Sequence, residues 1–96
     1  MDTHEKLKDL AISDSGFVFD PYTGATFNAN ATGRAILEGL RADQGRAALL
    51  ERLELRFDAA QQDLSRDLDD FLQTLRREGI VPPTFALSDE REGASS

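Results

Sequence analysis

The sequence predicts an α+β domain in which a three-stranded antiparallel meander precedes three helices. Apolar residues recur at every second position before Asn30 and at helical spacing after it. Turn-forming residues at Ser13–Gly16 and Asp20–Gly24 divide the first part into short segments. Because a meander of this size is not stable alone, the helices are expected to cover one of its faces.

Three short strands are predicted, around Leu10–Ile12, at Phe17–Phe19 and at Ala25–Ala29. In the third strand the odd-numbered residues point to one face and the even-numbered residues to the other. Few other aromatic side chains could fill the interior, so five phenylalanines are expected in the core. They are Phe17, Phe19, Phe27, Phe57 and Phe71.

The three helices are predicted from caps and apolar spacing. Asn30 is a favourable N-cap for a helix over Ala31–Arg41, and a second helix is expected over Arg46–Arg56. Asp58 is expected to begin the third helix in an approximate capping box, and Gly79 to end it. Its apolar stripe comprises Leu64, Leu68, Phe71, Leu72 and Leu75.

The two ends of the chain are predicted to lie outside the folded domain. Residues 1–8 are polar enough to form a flexible N-terminal arm, and residues 9–83 form the domain. Residues 84–96 are expected to be a disordered C-terminal tail.

Charge and composition exclude several function classes. The 96 residues include 18 acidic and 11 basic side chains, for a net charge of −7, which disfavours binding to nucleic acid or anionic membranes. The basic residues do not cluster in the sequence; the nearest approach is Arg76-Arg77. The absence of cysteine excludes disulfides and thiolate metal sites and leaves the redox compartment undetermined. No membrane-length apolar run or signal-like N-terminus is present, so a cytoplasmic protein is expected.

No catalytic or metal constellation is predicted. His4 is the only histidine, so a catalytic triad or a histidine metal site has no basis. Four aspartates of the third helix are interpreted as a solvated acidic face. They are Asp63, Asp67, Asp69 and Asp70. We expect no catalytic residue, no metal and no cofactor.

The third strand is predicted to have an unprotected edge. Thr26-Phe27-Asn28-Ala29 contains no lysine, proline or other charge that would block strand addition. An extended peptide could pair there through its main chain. Coverage of the edge by the N-terminal arm, or by a second copy of the chain in a homodimer, stays an alternative.

Two motifs stand out beside the meander. Asn30-Ala31-Thr32-Gly33 opens the first helix after it, and Phe71-Leu72, Leu75 and Gly79-Ile80-Val81 lie at the end of the third helix. In this combination the chain resembles the PqqD-like family, whose members are also called RiPP recognition elements. The resemblance covers about Leu10 to Val81. One departure is Gly39, which is expected to weaken the first helix by roughly 1 kcal/mol relative to alanine.

The resemblance implies a winged helix-turn-helix-like fold and a non-catalytic function. Such modules bind the leader of a ribosomally made precursor peptide by strand addition and present it to a radical SAM or other peptide-modifying enzyme. Whether the product here is pyrroloquinoline quinone or another peptide-derived compound is left open. The implied peptide-binding residues lie on the third strand and the third helix, although some of them must be core. They are Thr26, Phe27, Asn28, Ala29, Asp67, Leu68, Phe71 and Leu72.

Three alternatives stay open at the level of sequence. One is a DNA-binding winged helix, which the aspartates of the third helix disfavour. Another is a structural or oligomerisation module, and the most distant is an enzyme. The sequence also leaves open which flank of the third helix faces the groove: Asp63, Asp67, Asp70 and Thr74, or Ser65, Leu72 and Arg76.

Overall fold

The computed structural model describes residues 3–90 and confirms the predicted α+β arrangement, with one further helix before the sheet. The three strands form one antiparallel sheet in the order β1-β2-β3. No helix within residues 3–90 combines the length and apolarity needed to cross a membrane. The elements are α1 (Thr3–Lys8), β1 (Ala11–Ile12), β2 (Phe17–Phe19), β3 (Thr26–Asn28), α2 (Ala31–Arg41), α3 (Arg46–Arg56) and α4 (Gln61–Arg77).

The core lies between the inner face of the sheet and the helices, and β2 contributes to it only through Val18. Because neighbouring strand residues point to opposite faces, Phe17 and Phe19 lie on the outer face and are 46% and 38% exposed. The prediction that they are core residues is therefore wrong. The other three phenylalanines pack against the core while remaining partly exposed.

The N-terminal segment is more ordered than the sequence predicts. Residues 3–8, predicted as a flexible arm, form α1, and Leu7 is buried in the core. The Lys6 ammonium donates a hydrogen bond to the Gly79 carbonyl at 2.8 Å and lies 3.3 Å from the Asp20 carboxylate. The sequence did not predict α1, because its 6 residues are too few to show an apolar period. The residues that it contacts, such as Gly79, are distant in the sequence.

The C-terminal segment also differs from the predicted disordered tail, as far as residue 90. Leu87 is buried, and the Asp89 carboxylate accepts hydrogen bonds from the amides of Arg46 and Ala47 at 2.9 and 3.2 Å. Asp89 thereby caps α3, whose N-cap residue Gly45 has no side chain. The Arg46 amide is the main cause of a lowered Asp89 pKa. The rest of the predicted tail, 91–96, lies outside the described residues.

Local capping determines where α2 and α4 begin. The Asn30 side chain accepts a hydrogen bond from the Gly33 amide at 2.8 Å, which confirms its predicted role as N-cap. The predicted start of α4 is displaced, because the helix begins at Gln61 and no side chain within residues 3–90 caps it. Phe57 is extended after α3, so Asp58 lies in the connection and not at a helix start.

The end of α4 is a Schellman motif, as Gly79 predicts. Gly79 has a φ of 76°, and its amide donates to the Arg76 carbonyl at 3.2 Å. The Ile80 amide donates to the Leu75 carbonyl at 2.9 Å, and both side chains are buried. This turn fixes the direction in which the chain leaves α4.

Four arginines that are scattered in the sequence gather around Glu38. The Glu38 carboxylate lies 3.6 Å from Arg52 and 3.1 Å from Arg56, both on α3. Arg34 and Arg41 line a shallow pocket together with Glu38. Packing of α2 on α3 thus brings together, around one carboxylate, basic residues that are far apart in the sequence.

Gly39 provides room for close packing of α2 against α3. A methyl group added there would overlap the buried Leu49 side chain and lie 2.7 Å from the Gln44 side-chain oxygen. Gly39→Ala should therefore lower the free energy of unfolding by about 1–2 kcal/mol, since overpacking exceeds the roughly 1 kcal/mol of helix propensity gained. Urea denaturation would measure this. Adding Leu49→Ala should reduce the effect of Gly39→Ala, whereas net stabilisation by Gly39→Ala alone would contradict the packing argument.

Candidate functional site

Strand β3 lies at the edge of the sheet. Its register with β2 places Phe17 opposite Asn28, Val18 opposite Phe27 and Phe19 opposite Thr26. Within residues 3–90 no other strand pairs with β3, so its second side is open. The predicted open edge is therefore present in the described part of the chain.

The outward-pointing backbone groups of β3 belong to Thr26 and Asn28. Antiparallel partners alternate between pairs that exchange hydrogen bonds and pairs that do not. Ala25 and Ala29, two residues to either side of Phe27, bond to the β2 side at 2.9 and 2.7 Å. Phe27 therefore belongs to the bonded set, and the amides and carbonyls of Thr26 and Asn28 point away from β2.

A buried carboxylate holds the turn that leads into β3. Asp20 is fully buried and accepts hydrogen bonds from the Tyr22 amide and the Thr23 hydroxyl, both at 2.9 Å. Burial alone would raise the pKa of Asp20, but these bonds and the nearby Lys6 ammonium outweigh it and lower the pKa. The carboxylate is therefore charged at neutral pH and keeps the turn in place.

The inner side of β3 meets α4 through two aromatic rings. The centroids of Phe27 and Phe71 are 6.4 Å apart, and the rings are inclined at 54°. Gly33 lets the start of α2 approach them, because an added Cβ would lie 2.9 Å from the Phe71 ring. The glycine of the Asn30–Gly33 motif thus has a packing role as well as a place in the first turn.

A cleft of about 290 Å³ opens beside these rings, between the start of α2 and the middle of α4. Among residues 3–90, no basic side chain lines it. Its lining residues are Asn30, Thr32, Gly33, Ile36, Asp67, Asp70, Phe71 and Thr74. We call the open edge of β3 together with this cleft the groove.

The groove has negative charge that no described side chain balances. Within residues 3–90, the carboxylates of Asp67 and Asp70 have neither a hydrogen bond nor an ion pair. By contrast, Asp69 on the same helix lies 2.6 Å from Arg46, and Asp63 lies 3.6 Å from Arg66. The two aspartates at the cleft are therefore free to interact with a ligand.

The structure places five of the eight predicted site residues in or at the groove. Thr26 and Asn28 provide the outward backbone groups, while Phe27 and Phe71 form the aromatic floor. Asp67 belongs to the wall formed by α4.

The other three predicted residues lie elsewhere. Leu68 and Leu72 are 0% and 2% exposed and belong to the core. Ala29 is buried, and its amide bonds to Gly16 on the β2 side. Within the apolar stripe of α4, sequence reasoning could not separate core leucines from groove residues.

The structure also decides which flank of α4 faces the cleft: it is the flank with Asp67, Asp70 and Thr74. On the other flank, Ser65 accepts a hydrogen bond from Arg46, at 3.3 Å. Asp70 and Thr74 were not among the eight predicted site residues, although the sequence named them as part of one of the two possible flanks. Their spacing of three and seven residues from Asp67 was the signal that could have found them.

Comparison with known proteins gives one family match. A family model described as "Coenzyme PQQ synthesis protein D (PqqD)" matches residues 16–81, more than half of the chain. The matched segment includes β2, β3 and the three helices that follow, and so contains the whole groove. No curated protein and no solved structure matches the chain.

Proposed function

The chain belongs to the PqqD family, and on that premise we propose that it binds the leader of a ribosomally synthesised precursor peptide. In this role it adds the leader to β3 as a further strand and presents it to a modifying enzyme, such as a radical SAM enzyme. The role is non-catalytic and suits the cytoplasm, where such peptides are made. The observation that best supports the proposal is the open edge of β3 beside the cleft.

The edge and the cleft have different tasks in this proposal. The outward amides and carbonyls of Thr26 and Asn28 bond to the main chain of the leader, which supplies affinity without reading its sequence. Alternate leader side chains then point toward Phe27, Phe71 and the cleft, where their shape and charge are read. Selectivity therefore depends on α4 and affinity largely on β3.

The acidic wall of α4 argues against the alternative of a DNA-binding winged helix. Asp67 and Asp70 are exposed on this helix and would repel phosphate groups. Self-association through β3 remains compatible with the open edge, and it would compete with the leader for the same backbone groups.

The proposal is tested by titrating a synthetic leader, taken from a precursor gene encoded beside this one, into ¹⁵N-labelled protein. Amide shift changes should concentrate at Thr26, Phe27 and Asn28 and along Asp67, Asp70 and Thr74. Changes confined to α3 would place the binding surface elsewhere. If no neighbouring leader produces changes, and the protein dimerises through β3, the chain is a structural module instead.

A further inference from the structure

We infer that the groove selects a strand with the pattern basic–any–apolar, in which Lys or Arg enters the cleft and the apolar residue lies on Phe27. This inference rests on the proposed function and specifies the class of leader.

The register follows from the outward backbone groups. An added strand must hydrogen-bond at Thr26 and Asn28, so the ligand residue opposite Phe27 lies between the two bonded positions. The side chain of that residue points to the same face as Phe27, toward α4. The next ligand side chain on this face lies two residues away, opposite Ala29.

The two inward positions meet different surroundings. Opposite Phe27, a ligand side chain lies over the paired rings of Phe27 and Phe71, which favour an aliphatic or aromatic residue. Opposite Ala29, the chain has reached the start of α2 and the mouth of the cleft, because Ala29 lies against Gly33 and Gly33 lines the cleft. A long side chain at this second position can enter the cleft.

Charge determines which long side chain is favoured there. The stem of a lysine or arginine can lie along the half-buried Phe71 while its head reaches Asp67 and Asp70. Within residues 3–90, these carboxylates have no partner and no basic side chain lines the cleft. An acidic ligand residue would be repelled at the same place.

The direction of the ligand sets the order of the two residues. We take the ligand as antiparallel, because this pairing is slightly more stable per residue and lets the ligand residues opposite Thr26 and Asn28 each exchange two hydrogen bonds with β3. The ligand residue opposite Ala29 then precedes the one opposite Phe27 in its own chain. The selected pattern is therefore Lys/Arg, any residue, then an apolar residue.

The test uses a yeast-displayed library of random nine-residue peptides, sorted against four versions of the full chain. These are wild type, Asp67→Asn with Asp70→Asn, Asn28→Pro, and a control with Asp58→Asn and Asp63→Asn. The control changes the net charge by the same amount, and neither of its residues lines the cleft. Circular dichroism melts would verify that each version is folded before sorting.

Wild type and control should enrich the basic–any–apolar pattern. The Asp67/Asp70 variant should keep the apolar preference and lose the basic one. For a selected peptide made synthetically, Lys→Gln should weaken binding to wild type about fivefold, with a smaller effect in 500 mM salt. The same change should have almost no effect on binding to the variant. A protein with Asp67→Lys and Asp70→Lys should prefer the Lys→Glu peptide, a reversal that a merely structural role would not produce.

Two kinds of result would overturn the inference, and only the second kind would also contradict the proposed function. If wild type enriches apolar peptides without a basic preference, or if the Asp67/Asp70 variant keeps that preference, the inference fails while the proposed function stands. If wild type enriches nothing, or if Asn28→Pro enriches the same peptides as wild type, the proposed strand addition fails as well.

Discussion

Replacing Asn28 with proline is expected to weaken leader binding strongly while leaving the domain folded. The Asn28 amide points away from β2, so proline removes a donor that only an added strand would use. The lost hydrogen bond and the bulk of the ring at the edge should together weaken binding by about 2–3 kcal/mol, or roughly 30- to 150-fold. The unfolding free energy should fall by less than about 1 kcal/mol. Fluorescence anisotropy with a labelled leader and urea denaturation would measure the two quantities.

Phe27→Pro is the matched comparison, because it should lower the stability of the domain and leave the outward hydrogen-bond donors of β3 in place. The Phe27 amide bonds toward Val18, and its side chain packs on Phe71, so proline at this position removes an internal bond and a packed ring. We expect a loss of about 3 kcal/mol or more in stability. Asn28→Ala keeps the outward amide and should bind within about threefold of wild type. Equal effects of proline at both positions would contradict the assignment of outward groups.

Leu68→Ala is expected to lower stability more than truncation of the partly buried Phe71 on the same helix. Leu68 is completely buried in the core, and truncation of such a leucine removes about 2–5 kcal/mol. For a domain of this size the melting temperature should fall by roughly 10–20 °C. Leu55→Ala is the control, because Leu55 is 82% exposed on α3 and its truncation should change stability by less than about 0.5 kcal/mol.

Phe71→Ala separates a groove residue from a core residue on the same helix. Phe71 is only partly buried and lines the cleft, so its truncation should cost about 1–2 kcal/mol of stability. Leader binding should weaken more than tenfold, whereas folded Leu68→Ala should bind within about threefold of wild type. A stability loss at Phe71 equal to that at Leu68, with binding unchanged, would mean that Phe71 belongs to the core alone.

Features that depend on a few neighbouring residues could be predicted from the sequence. The bounds of α2 and α3, the Asn30 cap and the Gly79 turn agree with the structure, because each is set by backbone groups within about five residues. The inward and outward sides of β3 follow from the two-residue period of a strand. The open edge at Thr26–Asn28 could be predicted because the last strand of a meander pairs on one side and this segment carries no blocking charge or proline.

Features that depend on contacts between distant residues required the tertiary structure. Alternation within Phe17–Phe19 shows only that the Val18 side chain points to the face opposite that of its two neighbours. Packing of the helices under the sheet decides that Val18 is the inward residue. The packing of α1 depends partly on Lys6, which bonds to Gly79 across 73 positions of the chain. Sequence periodicity identifies an apolar stripe on a helix but not its neighbours.

The groove combines features that the sequence predicts with features that depend on tertiary packing. The sequence by itself determined an edge strand without protecting charges, followed by an N-capped helix and an amphipathic helix with aspartates on one flank. Only the tertiary structure decided that the flank with Asp67 and Asp70 faces the cleft, and that Leu68 and Leu72 are core. The physical reason is that a helix has one apolar stripe but two flanks, and the angle at which it packs determines which flank meets the sheet.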